Sequence, residues 1–273
     1  MNNPIGIFDS GVGGLTVFHA IQKALPHQHI VYFGDTARVP YGSKSQRTII
    51  QYSLQNMIFL LQQKIELLVV ACNTSSAYAL EELRKHSDIP IIGVIEPGAK
   101  KALNVTDNKK IGVIGTEGTI KSGSYEKALR SLDETCTVFS KPTPLLVPLV
   151  EENWIHHRVT KEIIEEYLQD FLNKDIDTII MGCTHYPVLK QVIQEVVGDK
   201  ITLVDSAESI ARELKKLYSA KSEQNEHSTY TFYVSDNPEK FRRIGLQILG
   251  EELSHVKKVY FSDAWVMDTY EKA

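Results

Sequence analysis

The sequence predicts an α/β fold of two pseudo-symmetric domains with mainly parallel sheets, and a site in the cleft between them. Three observations carry that expectation. Short β-branched runs alternate with longer amphipathic segments from one end to the other, the pattern of successive βαβ units. A weak internal repeat aligns Ile5-Gly6-Ile7-Phe8-Asp9-Ser10 with Ile111-Gly112-Val113-Ile114-Gly115-Thr116 at an offset of 106 residues. It also aligns Ile65-Glu66-Leu67-Leu68-Val69-Val70-Ala71-Cys72-Asn73-Thr74 with Ile176-Asp177-Thr178-Ile179-Ile180-Met181-Gly182-Cys183-Thr184-His185 at an offset of 111. Finally, 273 residues are enough for one large or two small domains at about 150 residues each.

In chain order, strands are expected at residues 5–8, 30–33, 67–71, 90–95, 110–114, 135–139, 177–181, 201–204, 229–234 and 256–261. Amphipathic segments between them predict helices, for example at 45–63, 160–172 and 207–218. Ser43-Lys44-Ser45-Gln46 has the spacing of a capping box that would start the first of these. The polar stretch 219–228 reads as a surface linker before a final β-α-β tail. The repeat divides the chain into a discontinuous domain, 1–96 plus 207–273, and a second domain, 97–206. Ligands of such folds sit where strand ends meet, so the crevice between the halves is the expected site.

Composition narrows the function classes. Thirty basic residues against 34 acidic give a net charge of -4, which offers no footprint for a phosphate backbone, so nucleic acid is not an expected partner. Apolar runs such as 67–72 are too short to span a bilayer, so no membrane association is expected. Met1-Asn2-Asn3-Pro4 lacks the basic start of a signal peptide, and a cytoplasmic location follows as an expectation. Three widely spaced cysteines make no disulfide framework and read as free thiols.

Two of those thiols, Cys72 and Cys183, occupy matched repeat positions, each at the end of a strand and before a helix. Unpaired N–H groups at a helix start stabilise a thiolate, so a lowered pKa and a base or nucleophile role are expected of both. A lone strand-end cysteine is more often an inert small hydrophobe; the pairing is what argues for chemistry. Cys136 has no repeat partner and reads as structural. Asn73, Thr74, Thr184 and His185 follow the two thiols and supply short hydrogen-bonding groups suited to a carboxylate, though Thr74 would also serve as a plain N-cap. His185 can hold a proton near neutral pH.

Asp9-Ser10-Gly11-Val12-Gly13-Gly14 forms a glycine-rich strand-to-helix turn, in which Asp9 reads either as a base behind a thiol or as a cap. It is not a dinucleotide fingerprint. Pro40-Tyr41-Gly42 lies in a loop where Gly42 leaves the backbone open to a ligand, and Glu151 emerges from an apolar run, as a cleft acid or a helix-start carboxylate. Cys183-Thr184-His185 lacks the further ligands of a zinc site, so no metal is expected. No serine stands in a G-x-S-x-G elbow.

With these motifs in their order and spacing along essentially the whole chain, the sequence resembles the glutamate racemase family, among the cofactor-independent amino-acid racemases that include aspartate racemase. The resemblance implies conversion of L-glutamate to D-glutamate for peptidoglycan, and hence cell shape, without pyridoxal phosphate or metal. It implies Cys72 and Cys183 as the acid/base pair, with Asp9, Glu151 and His185 assisting proton transfer. It implies substrate contacts from Asp9, Ser10, Tyr41, Gly42, Asn73, Thr74, Thr184 and His185, with Thr116 and Thr119 as further additions. Lysines such as Lys44 and Lys64 fall in polar helical stretches outside the motifs, where no aldimine lysine is expected.

Inverting an α-carbon needs a base on one face and an acid on the other, and one thiol per half supplies both. The competing readings are aspartate racemisation, which differs only in side-chain length, and a two-lobed amino-acid binding protein without catalysis, which would have no use for paired thiols. The reading gives each chain a complete site and leaves a homodimer open.

Overall fold

The computed structural model describes residues 3–218 and 228–260. Along the chain run β1 (Ile5–Asp9), α1 (Leu15–Ala24), β2 (Ile30–Gly34), α2 (Gln46–Gln62), β3 (Leu67–Val70), α3 (Asn73–Tyr78), α4 (Leu80–Lys85), β4 (Ile91–Gly93), α5 (Ile95–Val105) and β5 (Lys110–Gly115). There follow α6 (Glu117–Lys121), α7 (Ser124–Leu132), β6 (Thr137–Pro142), α8 (Leu146–Glu151), α9 (Arg158–Leu172), β7 (Thr178–Gly182), α10 (Lys190–Val197), β8 (Thr202–Asp205), α11 (Ser206–Tyr218), β9 (Tyr230–Val234), α12 (Pro238–Leu249) and β10 (Val256–Lys258).

The strands form two sheets, ordered β10-β9-β2-β1-β3-β4 and β6-β5-β7-β8, and every described pairing is parallel. The four-strand order β2-β1-β3-β4 of the first sheet recurs as β6-β5-β7-β8 in the second, which is the structural form of the sequence repeat. Parallel sheets need cover on both faces, and the side chains alternate accordingly. Ile5, Ile7, Leu67 and Val69 enter one core of the first sheet, while Phe8, Leu68 and Val70 enter the core on its other face. In the second sheet Ile111, Val113 and Ile180 pack on one side and Ile114, Ile179 and Met181 on the other. Each such burial stabilises the fold by about 2 kcal/mol, so register is held firmly and the strand ends stand in fixed places. Between the sheets, α11 packs on α1 and on α5.

Several local expectations shift. Ser45, not Ser43, caps α2, its hydroxyl accepting from Thr48 N–H at 3.3 Å, because Tyr41–Ser43 is already wound into a 3-10 turn. The strand expected at 90–95 stops at Gly93, and Ile95 opens α5. The strand expected at 135–139 begins at Thr137 and runs to Pro142, because the Asp133 carboxylate accepts from Thr135 N–H at 2.9 Å and holds that stretch as a turn. Its closing proline is tolerated because β6 is an edge strand. The expected linker lies outside the described residues except for Ser228, and the strand expected at 256–261 stops at Lys258, residue 261 lying outside them. No helix among the described residues is long and apolar enough to cross a membrane.

Candidate active site

Register places the two thiols. Phe8 pairs with Val70 where β1 meets β3, so two residues further on Ser10 comes level with Cys72, and their Oγ and Sγ lie 3.7 Å apart. Gly115 pairs with Gly182 where β5 meets β7, which brings Thr116 level with Cys183. Both thiols are buried and line one small cavity, together with Ser10, Tyr41, Gly42, Asn73 and Thr74 from the first sheet's loops. Thr116, Thr184 and His185 complete the lining from the second sheet's loops.

Asp9, at the end of β1, is fully buried. Its Oδ1 accepts from Gly11 and Gly14 N–H at 3.1 and 3.0 Å, so it does hold the glycine turn, while Oδ2 accepts from Thr184 Oγ1 at 3.3 Å. Burial pushes its carboxyl up, against the charge of His185 and these donors. Gly13 lies under His185, where a Cβ would overlap the imidazole Nδ1 and stand 2.5 Å from Thr184 Oγ1. Only a glycine permits that approach.

Cys72 itself caps α3, its Sγ accepting from Ser75 N–H at 3.5 Å. Thr74 is therefore inside the helix, not its cap, and its hydroxyl crosses to Thr116 and Thr119 Oγ1 at 2.9 and 3.1 Å. The lowered pKa expected of Cys72 is not what its surroundings dictate. Burial, followed by the charge of Asp9, pushes the thiol up to about 11, outweighing donors from Ser75 and Ser10.

The surroundings of Cys183 differ. His185 Nδ1 lies 3.9 Å from its Sγ, and His185 Nε2 lies 3.3 Å from Glu151 Oε1. Burial alone would lower the imidazole, yet its contacts with Cys183 and Glu151 raise it to about 10. Glu151 ends α8 and does not start it; burial would raise its carboxyl, but His185 and Lys240 hold it down to about 2. Tyr41 lines the cavity with its hydroxyl turned away, donating to Asp35 and accepting from Asn56 Nδ2 at 3.0 Å, so the loop meets the cavity through ring and backbone. Asn73 is buried, and its Nδ2 has no partner among the described residues. No group of three or more His, Cys, Asp or Glu among the described residues is arranged to hold a metal ion. Cys136 is buried in the core beside α7, away from the cavity.

A family model described as Asp/Glu/Hydantoin racemase matches residues 8–214. The chain belongs to that family. It is 49% identical to the glutamate racemase of Geobacter metallireducens over 261 residues, covering 93% of this chain and 96% of that protein. The glutamate racemase of Chlorobaculum tepidum is 48% identical over 262 residues, covering 94% and 96%. Among solved structures, a glutamate racemase isoform of Bacillus anthracis matches with a TM-score of 0.90 at 39% identity, covering 94% of this chain and 97% of that one. The glutamate racemase of Francisella tularensis in complex with D-glutamate matches at 0.88 and 36%, with the same coverage. The two-sheet architecture is thus the fold of this racemase family.

Sequence reasoning missed Lys240, whose Nζ lies 3.0 Å from Glu151 Oε2. It belongs to α12, begun by the Asn237 cap and Pro238, and the 89 residues between Lys240 and Glu151 hide the contact from any local pattern. Asp35, which holds Tyr41 and accepts from Arg38 Nε at 2.7 Å, was missed for the same reason.

Proposed function

We propose that this racemase interconverts L- and D-glutamate by moving the α-proton between Cys72 and Cys183. The observation that carries the reading is the presence of one thiol from each sheet, at equivalent strand ends, in a single cavity. The names of the curated relatives and the D-glutamate held by the Francisella structure support glutamate over aspartate as the substrate.

The α-hydrogen leaves as a proton to one Sγ, and the C–H electron pair stays on the α-carbon. The opposite thiol then gives its proton to the other face, and its S–H electron pair remains as thiolate. Nothing is consumed; the two sulfurs exchange a proton, and their roles reverse with the handedness of the substrate. Cys72, pushed up to about 11, enters as the thiol, and the His185 imidazolium faces Cys183 and balances negative charge there. Asp9, whose charge acts on Cys72, assists proton transfer on that side. The carbanion is stabilised by donors around the carboxylate: the unpartnered Asn73 Nδ2 and the hydroxyls of Ser10 and Thr74, with Thr116 and Thr119 fixing Thr74.

This chemistry draws on no pyridoxal phosphate and no metal. The division into two domains, 1–96 plus 207–273 and 97–206, belongs to this reading, which also gives each chain its own site, with or without a homodimer. The product feeds peptidoglycan synthesis from the cytoplasm. Steady-state racemisation of glutamate and aspartate, followed with a chiral assay, tests the substrate: glutamate is expected to have the higher kcat/KM, and a higher value for aspartate would overturn the assignment.

A further inference from the structure

Tyr125 belongs to none of the motifs, yet it touches the chain next to both thiols. Its ring is buried in the core between α5 and the second sheet, in a slot bordered by glycines. A Cβ on Gly182, the residue before Cys183, would stand 3.0 Å from its Cε2, and one on Gly98 would stand 3.4 Å from its Cε1. From that slot the phenol crosses to the other sheet's loops and donates to Oδ1 of Asn73, the residue after Cys72, at 2.7 Å. Ser206 of α11 borders the same slot, its Cβ 3.6 Å from where a Cβ on Gly98 would stand. Burial pushes the phenol pKa up, so it remains a neutral donor across the working pH range.

An amide whose oxygen is taken in this way can turn only its NH2 to the cavity. That NH2 is the buried, unpartnered Nδ2. A buried donor left without a partner is destabilising, and a bound carboxylate removes that cost.

We propose that Tyr125 is a positioning residue that fixes the Asn73 amide with its NH2 toward the substrate carboxylate. The inference rests on the glutamate reading above and deepens it. Free rotation of the amide without the phenol would present oxygen to the carboxylate in part of the population, which weakens binding more than turnover.

The test is a double-mutant cycle of Tyr125→Phe and Asn73→Ala, read both as D-glutamate affinity by calorimetry and as kcat and KM for racemisation. Tyr125→Phe is expected to weaken binding and raise KM roughly fivefold to tenfold, with kcat within about twofold, and to have no further effect once Asn73 is alanine. A packing role would give the same loss in both backgrounds, and that result overturns the inference, as does an unchanged affinity in Tyr125→Phe. Asn73→Asp, which can still accept from the phenol but has no NH2 to turn to the carboxylate, provides a second reading should Tyr125→Phe fold poorly. It should weaken D-glutamate binding by about tenfold or more, and an affinity within about twofold of the wild type overturns the proposal. Wild-type protein that binds D-glutamate without racemising it would overturn the catalytic reading and leave the affinity cycle to judge Tyr125. Wild-type protein that does not bind glutamate would overturn both.

Discussion

His185 and Glu151 form a partly buried ion pair, Nε2 to Oε1 at 3.3 Å, with the imidazole 3% exposed and the carboxylate 14%. The pair puts a positive charge beside Cys183, whereas the charge acting on Cys72 is the negative one of Asp9. Two thiols at equivalent places in a repeated fold are therefore chemically unlike, and the pH behaviour of the protein should show it.

The alkaline limb of kcat/KM is expected near pH 10, where His185 loses its proton. Glu151→Gln removes one of the causes that raise His185, so the limb should move to lower pH, with a loss of roughly tenfold or more at pH 9. A pH–rate profile of the two proteins checks this; coincident alkaline limbs would count against the ion pair's role.

Stability should follow the same groups. His185 is raised above its ordinary 6.5, so its contribution is complete below that pH and is lost as pH rises toward 10. Cys72, raised from 9.0 to about 11, has the same sign over its own window. Glu151, held down to about 2 from 4.5, contributes above 4.5 and loses that contribution as pH falls toward 2. Tm measured against pH should thus decline from neutrality into the alkaline range, and His185→Asn should flatten the slope between 6.5 and 10.

Gly13→Ala is expected to displace His185 and Thr184, because the new methyl would meet both side chains. Overpacking of this kind costs about 1–3 kcal/mol, and the shift in His185 should lower kcat/KM by about tenfold or more. Thermal melting and steady-state kinetics read the two effects, and near-wild-type kinetics would show that His185 is not held as described.

Much of this site could be read in the sequence because it is local to strand ends. Ser10 with Cys72, and Thr116 with Cys183, follow from a repeat whose offset is nearly constant, and parallel register turns that repeat into neighbours in space. The direction of the Cys72 shift could not be read that way. The sequence shows a thiol before a helix, but Asp9 reaches it from a different strand, and burial is a property of the packed molecule. Lys240 and Tyr125 stayed hidden for a related reason: they meet Glu151 and Asn73 across 89 and 52 residues, with no periodic pattern to mark either. The late start of β6 depended on one side-chain cap, the Asp133 carboxylate.

Alanine at Cys72 or at Cys183 should each reduce racemisation by about a thousandfold or more, since each thiol serves as acid or base in both directions. Cys136→Ala, in the core beside α7, should leave kcat/KM within about twofold and lower stability by about 1 kcal/mol. Substantial turnover by Cys72→Ala would remove the two-base mechanism.

The most direct measurement is proton NMR of L-glutamate incubated with the protein in deuterated water, with the enantiomers resolved in parallel. Two thiols that exchange with solvent between turnovers should deliver deuterium to the α-carbon, so D-glutamate should accumulate with deuterium at that position and the α-proton signal should vanish in the wild type. D-glutamate that retains the original α-proton throughout, or the absence of both exchange and inversion, would contradict proton transfer between Cys72 and Cys183.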